Sequence, residues 1–434
     1  MKRDVGRTIA RVIATLCLIV SVDLLFENSN LAKMFQLPYQ VGDIDGNGQY
    51  WRETKQVPAN EPEIQGNIVV DETESGELSG QEQEINDALL EKYRNSFDTC
   101  YSYQMLSEEE RLEYVILFHT MLDYEEIADV PILDTDVLGK VFQCVLNDHP
   151  EIFYVTGYTY TRHMQNDVLK RLSIEPTYTL SIEDKEMLEA ENERVAWEWI
   201  SDIPAEASDY EKVKLIYERI IRNTDYDLNA PDNQNICSVL LYHQSVCQGY
   251  AKTMQYLLGK LAVESTLVQG YVNSGEGHSW LIVKMDGNYY HVDPTWGDTS
   301  YQFDNEESRA NFGNVELINY DYLGVTTQDI VKNHTIDNVV ALPICISDTC
   351  NYYIHEGLYL RGSSDEEIDS VLSLLDISSS KAGTFKCADA YVYWDVYGKL
   401  IEKQKIFEFI PYIRGTIGYV QNDTQYTLSI WLDE

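Results

Sequence analysis

The spacing of apolar residues changes several times along this chain, and each change marks an element. From about residue 85 they recur every three to four positions, as in "LEYVILFHTML" (112–122) and "YEKVKLIYERII" (210–221), which predicts helices with one buried face. "DTDVLGKVFQCVLNDHPEIFYV" (134–155) predicts a helix stopped at His149-Pro150 and followed by a strand. "FYVTGYTYTR" and "RLSIEPTYTLSI" alternate instead, as paired strands do. Ser181 with Asp184, and Ser208 with Glu211, have the spacing at which a serine caps a helix, so two further helices begin there.

The middle of the chain changes character. Tyr250, Ala251, Met254, Leu257, Leu258 and Leu261 form a helical stripe, and three runs rich in branched and aromatic residues follow: "ESTLVQGYV", "HSWLIVKM" and "NYYHVDPTW". A helix packed on an antiparallel sheet is predicted. Ser245 and Gln248 have capping-box spacing, which starts that helix at Ser245 and places Cys247 in its first turn. Beyond about 335, "NVVALPICI", "NYYIHEGLYL", "AYVYWDVYG", "KIFEFIPYI" and "TQYTLSIWL" read as strands, with one helix near "SDEEIDSVLSLL". The fold class is therefore α+β. Residues 85–205 read as an N-terminal α+β domain, 206–335 as the core, and 336–434 as a β-rich accessory domain.

Charge narrows the partners. With 32 basic against 72 acidic residues, the formal net charge of -40 repels nucleic acid and anionic surfaces. Between Lys55 and Lys92 there are ten acidic residues and no basic ones, and residues 27–84 hold too little apolar surface to order themselves, so they read as an acidic disordered tether. Its "DIDGNG" places Asp43, Asp45 and Asn47 as in a calcium loop, but Thr54 stands where a bidentate Glu is wanted, and a polar turn is the better reading. At the N-terminus Lys2, Arg3, Arg7 and Arg11 precede an apolar run, so residues 1–26 read as an export signal or a membrane anchor. Outside that run and Cys247, six cysteines remain, open to either disulfide or free-thiol readings.

The candidate chemistry centres on Cys247. Unpaired N–H groups and the positive end of a helix dipole favour a thiolate in a first turn. A nucleophile also needs a base and a group to orient that base. Asp286-Gly287 is a favoured hairpin turn; with Met285 and Asn288 flanking it, His278 falls opposite Thr295, and Asp293 emerges on the face of His278. A one-residue slip would separate them. Other readings stay open: His291 in place of His278 as base, a structural role for each residue, or zinc on Cys237, His243 and Cys247 in a spacing that matches no usual finger.

Taken together, "SVCQGYAKTMQYLL", "GHSWLIVKMDGNYYHVDPTWGD" and "NYDYLGVT" resemble the transglutaminase-like superfamily of the papain-like class, especially its bacterial exported members. The likeness covers roughly 206–335, and "VLNDHPEIFYV" and "NYYIHEGLYL" resemble the flanking regions of those proteins. The family's Cys, His, Asp order falls on Cys247, His278 and Asp293; Leu281 departs from it, where many members carry Asn. The resemblance implies an exported cysteine enzyme that forms a thioester from peptide or glutamine carboxamide bonds. Hydrolysis is favoured over crosslinking, and no cofactor or metal is called for. Trp296, Trp280 and Gln244 are the candidate cleft residues, Gln244 as an oxyanion donor. The expected partner is a protein or peptide at the cell surface or wall, with N-terminal membrane contact. The alternative is an inactive module of the same fold that serves in binding or scaffolding.

Overall fold

The computed structural model describes the strands at 39–43, 48–50 and 63–70, and residues 80–299, 315, 317–378, 381–412 and 415–433. The apolar run before residue 27 and the centre of the "DIDGNG" loop, 44–47, lie outside the described residues, as does Thr54. Among the described residues no helix is long and apolar enough to cross a membrane.

Helices α1 (Glu108–Leu122) and α2 (Thr135–Asp148) start where side chains take up the free N–H groups of a first turn. Ser107 and Glu110 form a reciprocal capping box, and the Asp134 carboxylate accepts the N–H groups of Asp136 and Val137. His149 ends α2, and the chain enters a hairpin of β1 (Val155–Gln165) and β2 (Val168–Tyr178). The strand Glu63–Val70 adds to β1 in parallel and Ala128–Val130 adds to β2, giving four strands. Two segments of the stretch expected to be an acidic tether are thus paired: Glu63–Val70 here, and Tyr39–Asp43 against Thr416–Asn422. Ladder hydrogen bonds come from the backbone, so an acidic, weakly apolar sequence can still extend a sheet formed elsewhere.

The middle region follows the apolar pattern closely. Helices α3 (Ile182–Ile200) and α4 (Asp209–Asn223) begin at Ser181 and Ser208, whose hydroxyls accept from Asp184 and Glu211. After α5 (Ile236–Leu240) comes α6 (Cys247–Lys260), then five antiparallel strands: β3 (Ser265–Val272), β4 (Gly277–Met285), β5 (Asn288–Val292), β6 (Leu323–Val325) and β7 (His334–Ile336). Their order across the sheet is β6-β5-β4-β3-β7. Asp286 and Gly287, both with positive φ, make the two-residue turn, and the register pairs Met285 with Asn288 and Leu281 with Val292.

Both faces of this sheet are covered, which is why β4 is apolar along nearly its whole length. Leu281, Val283 and Met285 join one core cluster with Tyr250, Met254 and Leu258 of α6. Trp280 and Ile282 join a second with Trp296, Tyr322 and Ile330. Each large apolar side chain buried in this way contributes about 1.5–3 kcal/mol.

The C-terminal part is less strand-rich than its sequence predicts. "TQYTLSIWL" is a strand (Thr427–Asp433) and Asp365–Leu372 is a helix, as expected. But Ala390–Tyr397, read as a strand, is a helix; Ile406–Phe409 is another; and 338–346 has no regular structure. Asp389 accepts the Val392 N–H as a helix cap, and Val392, Tyr393, Val396 and Leu400 are buried at helical spacing, so capping and burial override the strand preference of Tyr, Val and Trp. This part has its own core cluster, including Ile368, Phe385, Ile417 and Ile430. Asp321 ties it to the middle region by accepting from Tyr353 Oη (2.9 Å), Asn422 Nδ2 (2.7 Å) and Thr427 Oγ1 (2.9 Å).

Candidate active site

Helix α6 starts one residue later than its sequence predicts. The N-cap is Val246, which has no side-chain acceptor to offer, and Cys247 is the first helical residue. Ser245 does not cap. It lies in a two-residue strand beside Asp225–Tyr226, and its hydroxyl is 2.6 Å from Ser238 Oγ and donates to Asn233 O. The chain is held close here because Gly249 has no side chain: a Cβ would stand 2.0 Å from Ser245 Oγ and 2.7 Å from Ser238 Oγ. The placement of Cys247 in the first turn survives the change of cap. As the first helical residue, its N–H has no intrahelical partner. Cys247 is fully buried, and it is a free thiol, as are the six other described cysteines.

His278 and Asp293 do meet. His278 Nε2 is 2.7 Å from Asp293 Oδ2, and both side chains are fully buried. The sheet register that predicts this contact is correct as far as Leu281 and Val292, but Asp293 is no longer in the strand. It is the N-cap of a short helix, Pro294–Gly297, and its Oδ1 accepts the N–H groups of Thr295 and Trp296. The cap turns Oδ2 toward His278.

Burial opposes a charged His278 ring, but the charge and hydrogen bond of Asp293 outweigh it. The nearby Cys247 acts in the same direction, and the pKa is pushed up to about 10. Nε2 is occupied by Asp293, and Nδ1 is buried with no hydrogen-bond partner among the described residues. Burial likewise opposes a charged Asp293, yet His278 and His334 together hold the carboxyl well below the usual carboxylate range. The arrangement can hold a positive ring beside a sulfur, with a carboxylate behind it.

Other candidate residues fall into different places. His291 is not positioned as a base: its Nδ1 accepts Trp280 Nε1–H at 3.0 Å, its Nε2 is 3.1 Å from Thr327 Oγ1, and burial pushes its pKa down to about 3. Trp280 and Trp296 are buried, so they do not line an open cleft. Trp280 lies nearly parallel to His278, 21° between planes, while Trp296 packs edge-on to Tyr322. Gln244 is exposed, in the strand just before the helix. Cys237 is apart from the site, accepting from Asn192 Nδ2.

Two residues escape the sequence reading. His334 Nε2 is 3.1 Å from Asp293 Oδ2, and Tyr226 is half-buried within the electrostatic reach of Cys247 and Asp293. Neither sits in a motif; the one signal is that each occupies a strand of three residues or fewer beside a longer element. His278, Asp293 and His334 bring three ligand-type atoms within 4.8 Å of one another. Hydrogen bonding of both rings to one carboxylate accounts for that closeness.

Residues 199–294 match the Transglutaminase-like superfamily. Over 158 residues the chain is 28% identical to kyphoscoliosis peptidase of Mus musculus, an alignment covering 32% of this chain and 23% of that protein. The kyphoscoliosis peptidase of Homo sapiens is 29% identical over 117 residues, covering 23% of this chain and 18% of that protein. The chain thus spans less than a quarter of the length of the curated relatives it matches. A crystal structure of a TGase aligns with 32% of this chain and 44% of its own, at 13% identity and a TM-score of 0.24. A helix laid on an antiparallel sheet, with Cys247 at the helix start and His278 and Asp293 brought together at the sheet, is consistent with that family match: the chain carries a transglutaminase-like domain, matched over residues 199–294.

Proposed function

We propose that this protein is a cysteine-dependent acyl-transfer enzyme in which Cys247 is the nucleophile, His278 the proton carrier and Asp293 the residue that orients His278. The observation that carries this reading is the buried 2.7 Å contact between His278 and Asp293, with Cys247 near enough to the same ring to favour its charged form. The sulfur attacks the carbonyl carbon of a peptide or glutamine carboxamide. A C–S bond forms as the carbonyl π pair moves onto oxygen, and the Cys247 N–H faces that charge. When the carbonyl re-forms, the C–N bond breaks and His278 gives its proton to the departing amine or ammonia. Water then attacks the thioester, His278 takes a proton from it, and the acid and the sulfur are released. A primary amine in place of water gives a crosslink instead.

We favour hydrolysis of a protein or peptide substrate. We also place the protein outside the cytoplasm, on the strength of Lys2, Arg3, Arg7 and Arg11 ahead of an apolar run. The test is turnover of a panel of peptides and glutamine amides, with and without a primary amine. Cys247→Ala should abolish turnover and the trapped thioester; unchanged turnover overturns the reading.

One observation favours a second reading. Cys247, His278 and Asp293 are all fully buried, while Tyr391 (81% exposed) and Trp394 (51%) stand out from one helix. A module that binds at a surface without turnover would look like this. The rate of Cys247 alkylation across pH separates the two, because a sulfur paired with a charged imidazole reacts well below neutral pH and an inert thiol does not.

A further inference from the structure

Asp293 serves two imidazoles. Its Oδ1 is filled by two backbone N–H groups, and its Oδ2 lies 2.7 Å from His278 Nε2 and 3.1 Å from His334 Nε2. An ionised carboxylate only accepts, so each ring must present an N–H at Nε2. We propose that His334 is a positioning residue for the His278–Asp293 pair, a neutral imidazole that donates its Nε2–H to the carboxylate oxygen shared with His278. The inference rests on the acyl-transfer reading of Cys247, His278 and Asp293, and it concerns a residue outside the span matched by the family, 199–294.

The neutral state follows from the neighbours. His334 Nδ1 is 2.7 Å from Asn333 Oδ1, and Asn333 Nδ2 donates to Tyr322 Oη at 2.5 Å. Exchanging the nitrogen and oxygen of that amide, an assignment set by the hydrogen-bond network, turns its N–H toward Nδ1 and its oxygen toward the tyrosine hydroxyl, and every group on the path is then satisfied with one proton on the ring. A second proton would put a cation next to the charged His278 ring, 5.2 Å between centroids, with one buried carboxylate to serve both. Burial acts in the same direction and holds the His334 pKa below its usual value.

The ring has no room to turn. Trp280, Trp296 and Tyr322 enclose it, at centroid distances of 5.0, 4.7 and 5.7 Å. Its strand, β7, is pressed onto β3 where Gly270 leaves space: a Cβ there would stand 1.9 Å from Thr335 O and 3.0 Å from the Trp280 ring. The titratable groups around it are His278 on β4, His291 on β5, Asp293 and Tyr322, with Cys247 and Tyr226 beyond His278. His334 thus does two things. It fixes the plane of the carboxylate, and it takes up part of a charge that would otherwise fall on His278 alone. A His278 held too strongly protonated is a poor acid toward the leaving amine.

The experiment uses the full chain with 15N-labelled histidine. In the unsubstituted protein His334 should stay neutral with its proton on Nε2 from about pH 5 to about pH 9, while His278 remains charged across neutral pH. His334→Leu should move the His278 titration, and the alkaline limb of Cys247 alkylation by iodoacetamide, to higher pH. On any substrate the parent turns over, it should lower kcat at least about tenfold with little change in KM, the size of one lost hydrogen bond to a charged group. His334→Gln, which can place an amide N–H where Nε2–H stood, should restore the parent profile. The inference is overturned by a doubly protonated or Nδ1–H His334 in the unsubstituted protein. It is equally overturned if His334→Leu lowers only the melting temperature and leaves the His278 titration and the alkylation profile in place. The NMR reading needs no variant, so a misfolded His334→Leu does not remove the test. A parent protein in which Cys247 alkylates only as an ordinary thiol overturns the acyl-transfer reading instead.

Discussion

His278 and Asp293 lie 15 positions apart in the chain and meet with 2.7 Å between Nε2 and Oδ2, because Asp293 leaves its strand to cap a one-turn helix. Asp293→Asn keeps the cap, since the amide oxygen still accepts from Thr295 and Trp296. It replaces the acceptor facing His278 with an amide N–H donor. The ring then loses the charge that holds its proton and is driven toward the wrong tautomer. Turnover should fall by about 10³–10⁴-fold, as expected for loss of the orienting carboxylate. Cys247 alkylation near about pH 6 should fall with it. Steady-state kinetics and mass-spectrometric labelling check both.

The same pair sets a pH window for stability. The folded His278 pKa is raised, so its contribution is fully present below the ordinary histidine value and is lost as pH rises through about 10. The folded Asp293 pKa is depressed, so its contribution is present above the ordinary carboxylate value and is lost as pH falls through the folded value. Melting temperatures measured from acid to alkaline pH should therefore drop at both ends. Asp293→Asn should flatten both limbs relative to the parent.

Gly249 is the small residue on which the helix start depends. A methyl group at this position would meet Ser245 Oγ, Ser238 Oγ and Asn233 O, at 2.0, 2.7 and 2.9 Å. Gly249→Ala should push the first turn of α6 off the Ser245 strand, moving Cys247 away from His278. The helix-propensity gain of about 1 kcal/mol will not offset this overpacking. Denaturant unfolding should show a net loss of about 1–3 kcal/mol, and alkylation of Cys247 should lose its low-pH component.

Glu113 is fully buried on α1, and burial pushes its carboxyl up to about 8, against a backbone hydrogen bond from Ile132 that lowers it. A carboxyl neutral in the fold but ionised in the unfolded chain destabilises increasingly as pH rises from its ordinary value toward the folded one. The parent should therefore lose stability between about pH 5 and about pH 8, by about 2–4 kcal/mol at most. Glu113→Gln, which cannot ionise, should remove that slope. Urea midpoints at a series of pH values decide it.

Asp321 accepts from Tyr353, Asn422 and Thr427, all buried or nearly so, and so joins the turn before β6 to the C-terminal hairpin. Asp321→Ala removes the acceptor that these three donors share. Each such loss costs about 1–3 kcal/mol, not additively. The expected result is a lower melting temperature, with the C-terminal part protected less in hydrogen exchange than α6.

What was legible in the sequence was local. Ser181 and Ser208 cap the helices they precede, and the Asp286-Gly287 turn sets a register from which His278 and Asp293 could be paired. The stripe from Tyr250 to Leu258 is buried as its spacing requires. What misled were segments where local preference and long-range packing disagree. Ala390–Tyr397 carries strand-forming side chains on a helix held by Asp389 and by burial of every third or fourth residue. Ser245 has capping spacing to Gln248, but Ser238 and Asn233, brought in from α5 and the loop before it, take its hydroxyl.

The amino-acid sequence by itself determined the α+β pattern, the helix with a cysteine in its first turn, and the order of Cys247, His278 and Asp293, since periodicity, capping and a two-residue turn act over a few neighbouring residues. Only the tertiary structure decided that Val246 and not Ser245 precedes the helix, that Asp293 reaches His278 from a cap rather than along a strand, and that His334, 41 positions away, shares the same carboxylate oxygen. Those contacts depend on strands from distant parts of the chain closing into one sheet, and a short strand such as His334–Ile336 has no pattern of its own to announce it.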